Sequence, residues 1–400
     1  MVNSIRRGSR PRSNGLDFVR ATAIVWVMIY HAMIFDLVPD PDHWFVAFGW
    51  MGVDLFFVLS GFLIAGQLIA PFADGSTPDY RKFFARRLLR TLPAYFAVVG
   101  IYAFIPAAWE RQAMQPLWQF LTFTENLLYV ADAPKAFSHV WSLCVEEQFY
   151  LLLPAVAALV ALRPSAGKAR ALLFFFLVAG MVVRARLWLD QVALPHFDSG
   201  GAPQDARYME LIYYPTWSRL DGLLAGVALA VLQTFRPKRW TAFTSSPNLL
   251  LAAGLAGLGG SMVFFQDQIA ALAPAVFGYP LLSCSIALIV AAASSDQCII
   301  SIRKVPGVQA LATGAYSLYL IHKMAYGAVI KLAASTELGG YWLLAAALIA
   351  GLLAGTALYW AVERPFLKLR DRLEGPSRSS ISKDDLPIDP GRDGSVPVEA

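Results

Sequence analysis

Few residues in this 400-residue chain can do chemistry, and most of those sit inside apolar runs. Arg20 and His31 stand eleven positions apart in GLDFVRATAIVWVMIYHA, which on a helix is a rise of roughly 16 Å and about three turns. Both therefore look along one face, one low and one high. Histidine exchanges a proton near neutral pH, which is the help an alcohol needs to attack a carbonyl. A neighbouring carboxylate can orient such a ring and stabilise its imidazolium. Glu146 and Glu147, in VWSLCVEEQFYLLLP, are the candidates. Adjacent helical positions diverge by about 100°, so only one can share the face of His31, with Glu146 favoured. His322, in YSLYLIH, is the rival base, against the plainer reading of a structural histidine. Arg87 and Arg90 lie three apart on one helical face, a spacing that suits bidentate phosphate binding; orientation of the chain in a membrane explains such arginines equally well. Asp54, Arg219 and Asp221 are ionisable groups in other apolar runs, placed either to bind an acceptor or to pair with intramembrane charges. Trp141, Ser142 and Tyr150 flank the glutamates and would shape a pocket, while Trp141 also fits a plain interfacial anchor. The three cysteines have no paired spacing, and neither a metal-ligand pattern nor a phosphate-cradling glycine loop is evident.

The elements that must hold these groups follow from composition. The chain is 57% apolar and only 15% charged, against roughly 25% charged in soluble proteins. Its mean hydropathy is +0.52. These values exclude a soluble globular protein. Apolar stretches of spanning length fall at 17–36, 47–70, 83–106, 139–162, 171–189, 214–235, 247–265, 271–294, 308–330 and 341–362. The expected fold is all-α: a polytopic transmembrane bundle of about ten spans. A basic N-terminus (1–16) precedes the membrane domain (17–366), and a polar tail (367–400) with little to bury follows it. Cations cluster on one side, at Arg6–Arg12, Arg81–Arg90, Arg163–Arg170, Arg236–Arg239 and Arg303–Lys304, so that side and both termini are expected to be cytoplasmic. The same distribution accounts for the net charge of +5 without nucleic acid. No cleavable signal peptide is expected. The segment 116–130 would invert every later loop if it crossed, so it reads as an outer interfacial element, and 190–213 reads as an outer loop. Arg20, Arg87 and Arg90 mark the cytoplasmic mouth, whereas most other ionisable groups fall in the outer half and predict a polar chamber there. His43, His139 and His196 read as outer-loop residues, and Glu363 with Arg364 as an interfacial ion pair. A transporter or flippase of a polysaccharide precursor or glycolipid is the competing class, weakened by the lack of an internal repeat.

The motifs appear in an ordered set that resembles the acyltransferase-3 family: GLDFVRATAIVWVMIYHA (15–32), GVDLFFVLSGFLI (52–64), RRLLRTLPAY (86–95), VWSLCVEEQFYLLLP (140–154), RLDGLLAG (219–226), YSLYLIH (316–322) and VERPF (362–366). The resemblance covers the whole membrane domain. It implies a multi-pass enzyme of the cytoplasmic membrane that takes an acyl group, usually acetyl, from cytoplasmic acyl-CoA. The acceptor would be a hydroxyl of a carbohydrate, glycolipid or macrolide-like molecule at the outer side. It implies His31 as the catalytic residue, supported by Glu146 or Glu147. Arg20, Arg87 and Arg90 would hold the nucleotide and phosphate end of CoA. Asp54, Trp141, Ser142, Tyr150, Arg219, Asp221 and His322 would surround the acceptor. CoA enters as a substrate, and neither a bound cofactor nor a metal is expected. The oligomeric state is not legible.

Overall fold

A computed structural model describes residues 13–110, 113–130, 135–162, 165–193, 204–266 and 270–374. Every regular element among them is helical. The principal helices are α1 (Asn14–Ile34), α2 (Met51–Ala73), α3 (Tyr80–Phe104), α4 (Trp141–Leu162), α5 (Ala166–Leu187), α6 (Asp221–Phe235), α7 (Pro247–Phe265), α8 (Tyr279–Ala293), α9 (Val308–Ala333), α10 (Gly340–Leu358) and α11 (Arg364–Glu374). Several start on side-chain caps. Ser13 accepts from Leu16 N, Asp79 from Lys82 N and Ser165 from Lys168 N, each satisfying a backbone N–H that a helix start leaves open.

Seven helical stretches are long and apolar enough to cross a membrane: Asn14–Ile34, Met51–Ala73, Ser138–Leu162, Gly167–Val192, Pro247–Phe265, Pro274–Ala293 and Gly340–Leu373. The last runs from α10 through a π-turn, Tyr359–Glu363, into α11. The other three sequence-predicted spans are also helices. Basic residues at its start dilute the apolarity of α3, which has 25 residues, and His322 and Lys323 interrupt α9, which has 26. α6 has only 15 residues. It begins at Asp221, later than the predicted 214, because Pro215 leads into a 3-10 turn at Thr216–Ser218.

The segment 116–130 does not cross. It breaks into a five-residue helix, Leu117–Leu121, and a 3-10 turn, Glu125–Leu127. Tyr95 ties it to α3 by donating to Phe120 O at 2.9 Å. In 190–213 the described parts are short helical turns up to Val192 and from Gln204. His196 and the tail beyond Glu374 lie outside the described residues.

The centre of the bundle is α2 packed on α6, with α8 against both and α1 against α2. Lipid tails are as apolar as leucine, so association in a bilayer depends on close van der Waals approach, which small residues permit. A Cβ added at Gly61 would run into the carbonyl oxygen of Leu223, and one at Gly226 into that of Val58. α9 packs along α1 and α10, and α7 along α8. Only 11% of the apolar window of Gly167–Val192 is buried, against 72% for Pro274–Ala293. The fifth helix is therefore peripheral and the eighth central. This arrangement brings the last turn of α1, the middle of α9 and the start of α4 together.

Candidate active site

His31 lies in the last turn of α1, and its ring lies edge to edge with that of His322 from α9, with centroids 4.9 Å apart and planes 19° apart. The Nδ1 of His31 is 2.7 Å from the Nε2 of His322, and the Nδ1 of His322 is 2.9 Å from the carbonyl oxygen of Leu318 one turn back. His139 completes the group from the 3-10 turn Ser138–Val140 that leads into α4. Its ring centroid is 5.6 Å from His31 and 5.2 Å from His322. The expectation that His139 is a loop residue is corrected here, since it is 2% exposed inside the cluster. His43, by contrast, is exposed and caps the short helix Trp44–Ala47.

The carboxylate that orients a histidine is Glu110, which follows α3. It accepts from His139 Nδ1 at 3.2 Å and from Ser138 Oγ at 2.7 Å, and it pairs with Lys323 Nζ at 2.5 Å. Lys323 also donates to Ser138 Oγ. Burial pushes the Glu110 carboxyl up, but the Lys323 ammonium and the His139 hydrogen bond outweigh it and hold it down at about 2.

Glu146 does not take that role. The hydroxyl of Ser60 donates to its Oε1 at 2.7 Å, while His31 Nδ1 faces His322. Glu147 lies beside Thr91 and Arg87. Glu146 instead belongs to a cavity of about 130 Å³ between α1, α2, α3, α4 and α9. Arg20, Arg87 and Arg90 line it together with Ser60, Glu146 and Tyr150. Arg87 stacks on the Tyr150 ring at 4.2 Å, and Arg20 pairs with Asp17 at 3.1 Å. Ser142 and Tyr319 also line the cavity. Their hydroxyls are 2.6 Å apart, and that of Tyr319 donates to His139 O at 2.9 Å. They thus join the cavity wall to the histidine cluster.

The remaining candidates pair with one another. Arg219 donates to both oxygens of Asp54 at 3.0 Å, and Arg184 holds Asp221 through two contacts of 2.7 and 3.0 Å. The guanidinium of Arg219 sits 4.1 Å over Tyr279 and 5.5 Å from Trp141. Asp54, Arg219, Asp221 and Trp141 are not among the residues that line the cavity. The polar groups predicted to share one outer chamber therefore divide between a pair of buried ion pairs, the cavity and the histidine cluster. Glu363 accepts from Ser317 Oγ at 2.6 Å and Arg364 lies over Trp360, which replaces the ion pair expected between them. Sequence reasoning missed Glu110 and Lys323. Lys323 carried a signal, a lysine beside His322 within an apolar helix; Glu110, just past a helix end, carried none.

An acyltransferase-domain family matches residues 13–362. The chain is 26% identical over 242 residues to peptidoglycan O-acetyltransferase OatA of Listeria monocytogenes, matching 57% of this chain and 35% of that protein. It is 27% identical over 232 residues to the putative peptidoglycan O-acetyltransferase YrhL of Bacillus subtilis, matching 54% and 33%. With O-acetyltransferase OatA of Staphylococcus aureus it shares 26% identity over 278 residues, matching 64% and 41%. The chain thus spans well under half the length of these curated relatives. No solved structure matches it. The family match runs from the start of α1 to the end of α10, through the arginine-lined cavity and the histidine cluster, and this chain belongs to the acyltransferase family.

Proposed function

We propose that the chain is an O-acetyltransferase of the cytoplasmic membrane that moves acetyl from cytoplasmic acetyl-CoA to a hydroxyl of a cell-wall carbohydrate. The observation that carries this reading is the cavity with three arginines in its wall, joined through Ser142 and Tyr319 to the cluster that holds His31. Arg20, Arg87 and Arg90 are the groups for the nucleotide and phosphates of CoA, with the pantetheine arm running toward the histidines. His31 takes the proton of the acceptor hydroxyl, and the oxygen attacks the thioester carbonyl. The carbon–sulfur bond breaks, and CoA leaves as a thiolate that takes up a proton. Peptidoglycan is the acceptor favoured by the names of the relatives. Ten spans with both termini in the cytoplasm fit this path, since the arginine mouth then faces the donor; the distribution of cations supports that orientation.

The test uses purified protein in liposomes with acetyl-CoA and soluble peptidoglycan fragments. His31→Ala should lower acetyl transfer roughly a hundred- to ten-thousandfold while acetyl-CoA still binds. Arg87→Gln should weaken acetyl-CoA binding and reduce its salt dependence, because a screened phosphate contact is lost. Near-normal transfer by His31→Ala, or unchanged donor affinity in Arg87→Gln, would remove the corresponding part of the reading.

A further inference from the structure

The contacts of His322 fix where protons sit in the histidine pair. The oxygen of Leu318 is a carbonyl and can only accept, so the Nδ1 of His322, 2.9 Å away, carries the hydrogen. A neutral imidazole has one N–H, which leaves the Nε2 of His322 as an acceptor. The Nδ1 of His31, 2.7 Å from that atom, must then be the donor. By the same count the Nε2 of His31 holds a lone pair. A helix carbonyl one turn away thus determines which nitrogen of His31 is basic, through one intervening ring.

We propose that His322 is a positioning residue that holds His31 in the Nδ1–H tautomer, so that Nε2 of His31 is the atom that takes the proton. The assignment rests on the reading of His31 as the base and adds which atom acts and what sets it. His322 has a second effect. When Nε2 of His31 is protonated, the ring becomes an imidazolium, and its Nδ1–H bond to His322 becomes charge-assisted and stronger. The interaction gains strength as the transition state forms, so its loss belongs mainly in kcat. The nearly coplanar rings, with planes 19° apart, and the full burial of His322 keep the geometry fixed before substrate arrives.

Two measurements on the full chain in detergent test this. The first is the tautomer. With imidazole-15N-labelled histidine the protein presents five histidines, and the signals of His31 are identified by their loss in His31→Gln. The parent should show His31 with protonated Nδ1 and unprotonated Nε2. A His31 protonated at Nε2 in the neutral parent overturns the proposal outright, and this readout needs no turnover. It therefore stands apart from whether the chain transfers acetyl groups. The second is a kinetic split between His322→Leu, which offers no acceptor, and His322→Gln, whose amide oxygen can still accept from His31. His322→Leu should lower kcat roughly ten- to a hundredfold with little change in KM for acetyl-CoA and should release the tautomer. His322→Gln should recover much of kcat and keep Nδ1 of His31 protonated. Equal losses in the two variants, or an unchanged tautomer in His322→Leu, would show that His322 only fills space.

Discussion

Glu110 gathers Ser138, His139 and Lys323 at 5% side-chain exposure and so holds one edge of the site together. Its carboxyl is held at about 2, below the ordinary 4.5. A group whose folded value is depressed contributes its full stabilisation above the unfolded value and loses it as pH falls through the folded one. Here the window runs from about 4.5 down to about 2. The thermal midpoint of the parent in detergent should therefore fall across that window, and Glu110→Gln should remove this part of the slope. The same substitution leaves Lys323 buried without its counter-ion, which costs on the order of 3–5 kcal/mol. A variant with the parent's midpoint and pH slope would mean that the cluster does not hold the fold. His139 gains its fixed orientation from the same carboxylate: its Nδ1 donates to Glu110, and its Nε2 is buried without a hydrogen-bond partner among the described residues, in a ring 5.6 Å from His31 and 5.2 Å from His322.

At the scale of elements, the contact between α2 and α6 rests on backbone meeting backbone. Gly226→Leu puts a branched side chain where the backbone of Val58 to Phe62 lies, so the helices must separate. The expected outcome is a strong loss of folded protein and a lower thermal midpoint, measured by size-exclusion yield and melting in detergent. A glycine facing nothing, such as Gly259, should accept the change with little effect. Hydropathy placed most helix ends within a few residues, as at 247–265, because an apolar run of spanning length has few alternatives in a bilayer. It misplaced the start of α6 because a proline-led turn looks equally apolar. Within the site, Arg20, His31, Arg87, Arg90, Glu146 and His322 were legible as ionisable groups in apolar surroundings. His139 was not, because its burial comes from long-range packing against α1 and α9, which local sequence does not encode. Sequence reasoning favours Glu146 over Glu147 as the partner of His31, whereas the carboxylate bonded to a histidine, Glu110, reaches His139 through packing of the same long-range kind. Depth along helices can be counted from sequence, but which faces meet cannot.

Across the whole molecule, two hydroxyls close together stand between an arginine-lined cavity and the three histidines. If the donor is a thioester taken from one aqueous side and its acyl group is delivered toward the other, as proposed above, the enzyme has to avoid a leak. Water that reaches the thioester beside a competent base would discharge it with nothing acylated. On the proposed donor path, the Ser142–Tyr319 pair would stand against that leak, since it links the cavity wall to the backbone of His139. Tyr319→Phe removes the hydroxyl that ties this partition to His139. It should raise acetyl-CoA hydrolysis in the absence of acceptor relative to transfer in its presence. An unchanged ratio of the two would show that the seal lies elsewhere. If it holds, donor can wait in a sealed vestibule until an acceptor arrives to open the partition, and the membrane keeps its supply of acetyl groups from draining away.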